Sequence, residues 1–252
     1  MSLKHLVGPT GGLSYHWIAS RRAAREWKPF RAQVDSWLTE WRQSLPKSIT
    51  ELVIFGPSGG YTFSLKGLSS FTKLTFVEPD PVARYLLKRK VDRSAQTKSF
   101  DFISDESLLP WFSEEPGQFE KFVEDHPHAA FLFSNLLGQI PLLVSKSHLA
   151  SQNQAAQDEF LNALQGRAWA SYHDLFSCAK AKNAKLSANA IPSFKGFEAS
   201  TRLSEIAIAT FPGSQTLVDH ETSWLSVGRR TEFSLWPLTK NQVHLIGFVK
   251  QS

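Results

Sequence analysis

Apolar positions fall into two kinds of pattern along this chain, and each predicts a different element. Between residues 14 and 45, Trp27, Phe30, Val34, Trp37, Leu38, Trp41 and Leu45 recur at spacings of three, four and seven, which places them on one helical face. Pro29 divides this segment or opens its second helix, because proline suits a first helical turn and disrupts an interior one. From residue 51 the pattern changes to short continuous apolar runs, as in strands buried on both faces. Leu52 to Phe55 is the first run and Leu74 to Val77 the second, with a short helix expected near 61–70 and another from Pro81 to about Arg93. Ser99 to Asp105 is a weaker third strand, 108–125 carries aromatic residues at helical spacing, and Ala129 to Asn135 is a fourth strand. Residues 152–184 read as helical with a break at Gly166; the fifth strand is expected at 185–191 or 215–218, and 201–211 as a helix or a further strand. Glu232 to Leu238 and Gln242 to Val249 alternate about Thr239-Lys240-Asn241, which predicts a closing antiparallel hairpin.

The ends of the first two runs carry chemistry. Leu52-Val53-Ile54-Phe55 leads into Gly56-Pro57-Ser58-Gly59-Gly60, where glycine lets the backbone turn sharply and approach a ligand closely. The second run closes on Glu78, 18 residues beyond Gly60, which brings a carboxylate beside the turn where it can accept hydrogen bonds from ribose hydroxyls. That is a nucleotide-site layout.

At these residues the chain resembles the class I S-adenosylmethionine-dependent methyltransferases. Gly56, Ser58 and Gly60 stand at the three glycine positions of that family's G-x-G-x-G loop, and Glu78 in Phe76-Val77-Glu78-Pro79-Asp80 matches its ribose-binding acid. Ser58 departs from the middle glycine, and Ile54 stands where the family often has an acid. The resemblance covers about residues 50–180 by strand-helix order and implies a Rossmann-like three-layer α/β/α sandwich. Its sheet would be mostly parallel, ending in the antiparallel hairpin, with residues 1–48 as a helical cover and 49–252 as the methyltransferase domain. It further implies S-adenosyl-L-methionine as cofactor, held by Gly56, Pro57, Ser58, Gly59, Gly60 and Glu78, with Ser104 and Asp105 near adenine. Asn135, ending the fourth strand, occupies the position from which the family reaches the methyl acceptor.

Composition narrows the partners only loosely. The 28 Lys and Arg against 23 Asp and Glu give a formal +5 and a pI near 9.3, compatible with an RNA, protein or small-molecule acceptor. Arg21, Arg22, Arg25 and Lys28 crowd the junction of the leading helices, as a solvated face or an anion contact. The single cysteine, Cys178, excludes an intrachain disulfide and any multi-cysteine zinc site, so a cytoplasmic, non-membrane protein is expected. Oligomeric state leaves no mark in the sequence.

Further candidates are His173, in an aromatic stripe with Trp169 and Tyr172, and His220, a base able to titrate near neutral pH. Asp219-His220-Glu221 invites a metal, but neighbouring strand residues point to opposite faces and no metal is expected. Gly11 to His16 reads as a helix start capped by Ser14, or as Tyr15 and His16 folding over the pocket. A nicotinamide-dependent oxidoreductase shares the glycine turn and acid, but the chain lacks a Tyr-x-x-x-Lys pair. A non-catalytic RNA- or ligand-binding protein retaining the fold is the remaining alternative.

Overall fold

The computed structural model describes residues 12–93, 99–144, 146–179, 200–211 and 217–252. Its elements run α1 (Gly12–Arg25), α2 (Lys28–Ser44), β1 (Glu51–Phe55), β2 (Lys73–Val77), α3 (Pro81–Arg93), β3 (Ser99–Ile103), α4 (Gln118–Glu124) and β4 (Ala129–Ser134). They continue with α5 (Ile140–Leu143), α6 (Lys146–Ala163), β5 (Trp169–Ala179), α7 (Ser200–Thr210), β6 (Leu217–Asp219), β7 (Thr231–Thr239) and β8 (Gln242–Gln251). The strands form one sheet in the order β3-β2-β1-β4-β5-β8-β7. β1 to β5 are parallel neighbours, β8 runs antiparallel between β5 and β7, and β6 pairs with the far end of β5.

Alternation along the strands divides the core into two layers. Leu52, Ile54, Leu74, Phe76, Ala130, Leu132 and Tyr172 face α1, α2 and α3, while Val53, Phe55, Val77, Phe131, Phe133 and Trp169 face α4 and α6. The result is the expected Rossmann-like three-layer sandwich with a closing hairpin and leading helices. The leading helices are held by aromatic packing: Phe30 stacks on Trp236 and Trp37 on Phe248, each at 5.0 Å between ring centroids. A buried indole needs a partner for its N–H. Trp27 gives its own to Leu238 O, Trp37 to the Glu232 carboxylate and Trp41 to Gln251 O, so α2 is fixed to both strands of the hairpin.

Four expectations change. Residues 61–70 form only a single 3-10 turn at Leu65–Leu68, with α1 and α2 packed over that side instead. The helix expected over 108–125 shortens to α4, after a 3-10 turn at Glu106–Leu108. The helical pattern expected through 184 ends at α6, where Gly166 adopts φ +71°, and 169–179 is the fifth strand. Of the two stretches expected for that strand, 185–191 and 215–216 lie outside the described residues, while Leu217 and Val218 fall in the short β6. Of 201–211, all but Phe211 are helical, in α7 (Ser200–Thr210), which covers Leu175, Val243 and Leu245. Among the described residues no helix is long and apolar enough to cross a membrane.

Candidate functional site

The strand order reverses between β1 and β4, and open α/β sheets receive ligands outside the carboxyl ends of the strands at such a point. The turn after β1 lies there. Gly56, Ser58 and Gly60 take φ values of +65°, +50° and +64°, a conformation that is costly for serine because of its Cβ. Ser58 is held in it by its N–H, which donates to Glu78 Oε2 at 2.8 Å. The other oxygen of Glu78 accepts from Asp80 N–H at 3.0 Å. Glu78 is 6% exposed, and its burial outweighs both donors and raises its pKa to about 7. Each carboxylate oxygen retains lone-pair capacity for a further donor.

The glycines of the turn serve packing as well as φ. A Cβ on Gly60 would lie 2.9 Å from Leu87 Cδ1 on α3, and one on Gly59 would meet the Tyr61 ring at 2.5 Å. Both contacts point into the protein, so these two glycines let the turn sit close on α3 and Tyr61.

The first turn of α1 crosses the same region. Gly12 N–H donates to Asp80 Oδ2 at 3.0 Å, and His16 Nε2–H donates to that oxygen at 2.9 Å. His16 Nδ1 meets the Tyr61 hydroxyl at 3.0 Å. Asp80 Oδ1 accepts from Val82 N–H at 2.7 Å, so Asp80 is also the cap of α3, ahead of Pro81 in its first turn. Burial pushes the Asp80 carboxyl up, but His16 and the N–H groups of Gly12 and Val82 together bring it below its ordinary value. Burial pushes the Tyr15 phenol up, the Ser58 side chain beside it works the other way, and the charges of Glu78, Asp80 and Asp174 push it up further. The helix begins at Gly12, so Ser14 is not its cap, and Tyr15 and His16 lie over the loop.

Across from the loop, β4, β5 and β8 bring a second group together. Asn135 has φ +52°, is buried, and donates from Nδ2 to Asp174 Oδ2 at 3.2 Å, while its own Oδ1 has no partner. His244 Nδ1–H donates to Asp174 Oδ1 at 2.8 Å, and its Nε2 is buried without a hydrogen-bond partner. Burial pushes Asp174 up, but the charge and hydrogen bond of His244, then His220 and Asn135, hold its carboxyl below the ordinary range. His220 Nδ1–H donates to Gly138 O at 3.2 Å, and Nε2 faces the Ser177 hydroxyl at 3.0 Å. Asp174, His220 and His244 each bring one ligand atom within 4.8 Å of the others. A cation there would have to displace the direct Asp174–His244 hydrogen bond. Asp219 and Glu221 are exposed and turned to each other, through Glu221 N–H and Asp219 Oδ1.

The sequence-derived candidates therefore separate. Gly56, Pro57, Ser58, Gly59, Gly60 and Glu78 form one group; in the other, Asn135 bonds Asp174 and His220 has a ring nitrogen within 4.8 Å of its carboxylate. His173 stands apart and does not lie on a helical face with Trp169 and Tyr172. It is in β5, on the opposite sheet face to Asp174, hydrogen-bonded to Ser171, and burial drives its pKa down to about 3. Ser104 and Asp105 are exposed after β3, and Asp105 accepts from the N–H and hydroxyl of Ser107. Sequence reasoning missed His244 and Asp174. The first lies 70 residues from its partner, and only the β5–β8 pairing unites them.

No family model matches the chain, and no curated protein matches it. Among solved structures it is similar to magnesium protoporphyrin IX methyltransferase from Synechocystis with bound S-adenosylhomocysteine, at 12% identity and TM-score 0.45, over 96% of this chain and 90% of that one. The N-methyltransferase NodS from Bradyrhizobium japonicum matches at 12% identity and TM-score 0.44, over 89% of this chain and 97% of that one. An RNA methyltransferase described as putative, from Pyrococcus horikoshii, matches at 17% identity and TM-score 0.39, over 86% and 81%. The fold assignment rests on the strand order given above.

Proposed function

We propose that this chain is an S-adenosylmethionine-dependent methyltransferase acting on an unidentified acceptor. The observation that carries the reading is the junction of the left-handed turn Gly56–Gly60 with the buried Glu78 carboxylate at the switch point of the sheet. On β4 and β8 are two buried polar atoms without protein partners, Asn135 Oδ1 and His244 Nε2, which a ligand group would satisfy. This donor and acceptor set fits the cofactor: the loop backbone and Glu78 would hold its amino-acid and ribose parts, and Ser104 and Asp105 would lie toward adenine. When bound, S-adenosylmethionine supplies an activated methyl group, so the protein's task is to align an acceptor. Asn135 Oδ1 would orient a donor on the acceptor, and His244 Nε2, set by Asp174 as a histidine is set by a buried carboxylate in hydrolytic triads, would take its proton. His220, with both nitrogens engaged, would serve as support for this pair.

A non-catalytic protein of the same fold is favoured by one feature, the first turn of α1 tied across this region through Gly12 and His16 to Asp80 and Tyr61. Calorimetry with S-adenosylmethionine and S-adenosylhomocysteine, with NADH and NADPH as controls, separates these readings. Micromolar binding of the sulfur compounds alone is expected. Heat only with the nicotinamides would replace the proposal with an oxidoreductase, and none with any of the four would leave the non-catalytic protein.

A further inference from the structure

The chain's basic excess is concentrated in two adjacent helices. α1 and α3 together hold eight of the 28 Lys and Arg and one of the 23 Asp and Glu; the remainder of the chain has 20 against 22 and is slightly acidic. Two of the eight are structural, since Arg22 donates to Leu238 O and Arg84 to Glu78 O and Pro79 O. Arg21, Arg25, Arg89 and Arg93 are exposed and have no ion pair among the described residues.

Large aromatic side chains lie among these charges. Trp17 on α1 is 62% exposed with the Arg21 guanidinium 4.5 Å above its ring, and Tyr85 on α3 is 58% exposed with Arg89 at 5.8 Å. An exposed indole and phenol beside arginines leave ring faces open to a third planar group. Between the two helices and α2 is a cavity of about 320 Å³, lined by Ser20, Arg31, Tyr61, Ser64 and Lys90 as its polar side chains and by no carboxylate. Arg31 Nε is buried without a hydrogen-bond partner. Lys90, exposed as a residue, turns its ammonium onto the carbonyl oxygens of Gly59 and Gly60, using two of its three donors. Arg31 and Lys90 line the same cavity, and burial of the ammonium, then the charge of Arg31, bring the Lys90 pKa down to about 8. Asp35, one turn along α2 from Arg31, is engaged with Ser64 N–H and is not within ion-pair distance of either cation.

We propose that the α1–α3 face is a binding surface for single-stranded nucleic acid, with a backbone phosphate seated in the cavity between Arg31 and Lys90 and bases stacked on Trp17 and Tyr85. The charge distribution selects a polyanion, and the cavity has room for a phosphate with part of its sugar. The aromatic pair selects unpaired bases over a duplex, because a stacked base in a duplex offers no free face to a side chain. Lys90 and Gly60 join this surface to the loop after β1, and nucleic-acid binding there would need no bound cofactor.

The test is fluorescence anisotropy with a labelled single-stranded RNA of about 12 nucleotides, the matching DNA strand and the duplex, between about 50 and 200 mM salt. Saturable binding to both single strands is expected, weakening steeply with salt and weaker for the duplex. Arg31→Gln and Lys90→Gln should each lower affinity several-fold and reduce the salt slope by about one. Trp17→Ala with Tyr85→Ala should lower it by about tenfold at an unchanged slope. Lys240→Gln, at the tip of the hairpin, should change nothing. A melting curve for each variant separates misfolding from lost contact, and if Arg31→Gln fails to fold, the exposed Lys90 decides. Absence of binding at the lowest salt, or equal loss from Lys240→Gln, overturns the proposal. So does equal affinity for duplex combined with indifference to the aromatic variants, which would leave only a polyanion surface.

Discussion

Glu78 is protonated in the folded state across a pH range in which the unfolded chain carries it ionised, because burial raises its pKa from 4.5 to about 7. The folded protein then binds the extra proton, so this residue's contribution to stability is full below pH 4.5 and declines as pH rises through about 7. Glu78→Gln should remove that decline, so its melting temperature relative to wild type should rise between those limits in calorimetric scans. Affinity for S-adenosylhomocysteine should behave oppositely. Wild type should bind more tightly as the carboxylate ionises, and Glu78→Gln should lose about 1.5 to 3 kcal/mol at pH 8, the scale of a hydrogen bond to a charged group. A variant that binds normally would place the ribose elsewhere. Asp174 has the reverse sign: its depressed pKa means its contribution is present above the ordinary carboxylate range and is lost as pH falls through the folded value. Asp174→Ala leaves His244 Nδ1 and Asn135 Nδ2 without their acceptor and should cost about 3 to 5 kcal/mol in urea denaturation. A loss below 1 kcal/mol, roughly the value of an exposed pair, would show that water replaces the carboxylate there.

Among the elements, the turn after β1 gives the most direct expectation. Gly60→Val forces a β-branched residue to φ +64° and drives its Cβ against Leu87, so it should lower stability by about 1 to 3 kcal/mol or more. Cofactor affinity of the folded fraction should change little, since the added side chain points at α3; complete loss of binding in a mutant with a wild-type melting temperature would contradict this geometry. β1, β2 and β4 were legible because each is a continuous apolar run closed by turn residues, and the hairpin because its two halves alternate around a polar turn. β5 was not. Ser171, His173 and Asp174 interrupt an otherwise apolar segment, which mimics a helical period, yet ten of its eleven residues are buried between β4 and β8. Its polar residues are buried and hydrogen-bonded within the sheet, and a rule that places polar residues outside misreads such a strand. His220 could be singled out from its position after an apolar stretch, whereas nothing local marks His244.

For the molecule as a whole, the leading helices are part of the core. Trp27, Phe30, Trp37 and Trp41 share one apolar cluster with β1, β2, β5 and β8, so removing residues 1–48 should leave a chain without a cooperative thermal transition by near-ultraviolet circular dichroism. A sharp transition in that fragment would make 49–252 a domain in its own right. Asp80 links this cover to the loop, because one carboxylate caps α3 and receives both Gly12 and His16 from α1. A ligand that needs the space under Tyr15 would bind only molecules in which these contacts are broken, and its apparent affinity would be scaled down by their fraction. Asp80→Asn, which still caps a helix well but holds His16 without a charge, should enlarge that fraction. S-adenosylhomocysteine should then associate faster and bind more tightly to the mutant than to wild type, the opposite of what an acid in direct contact with the ligand would give.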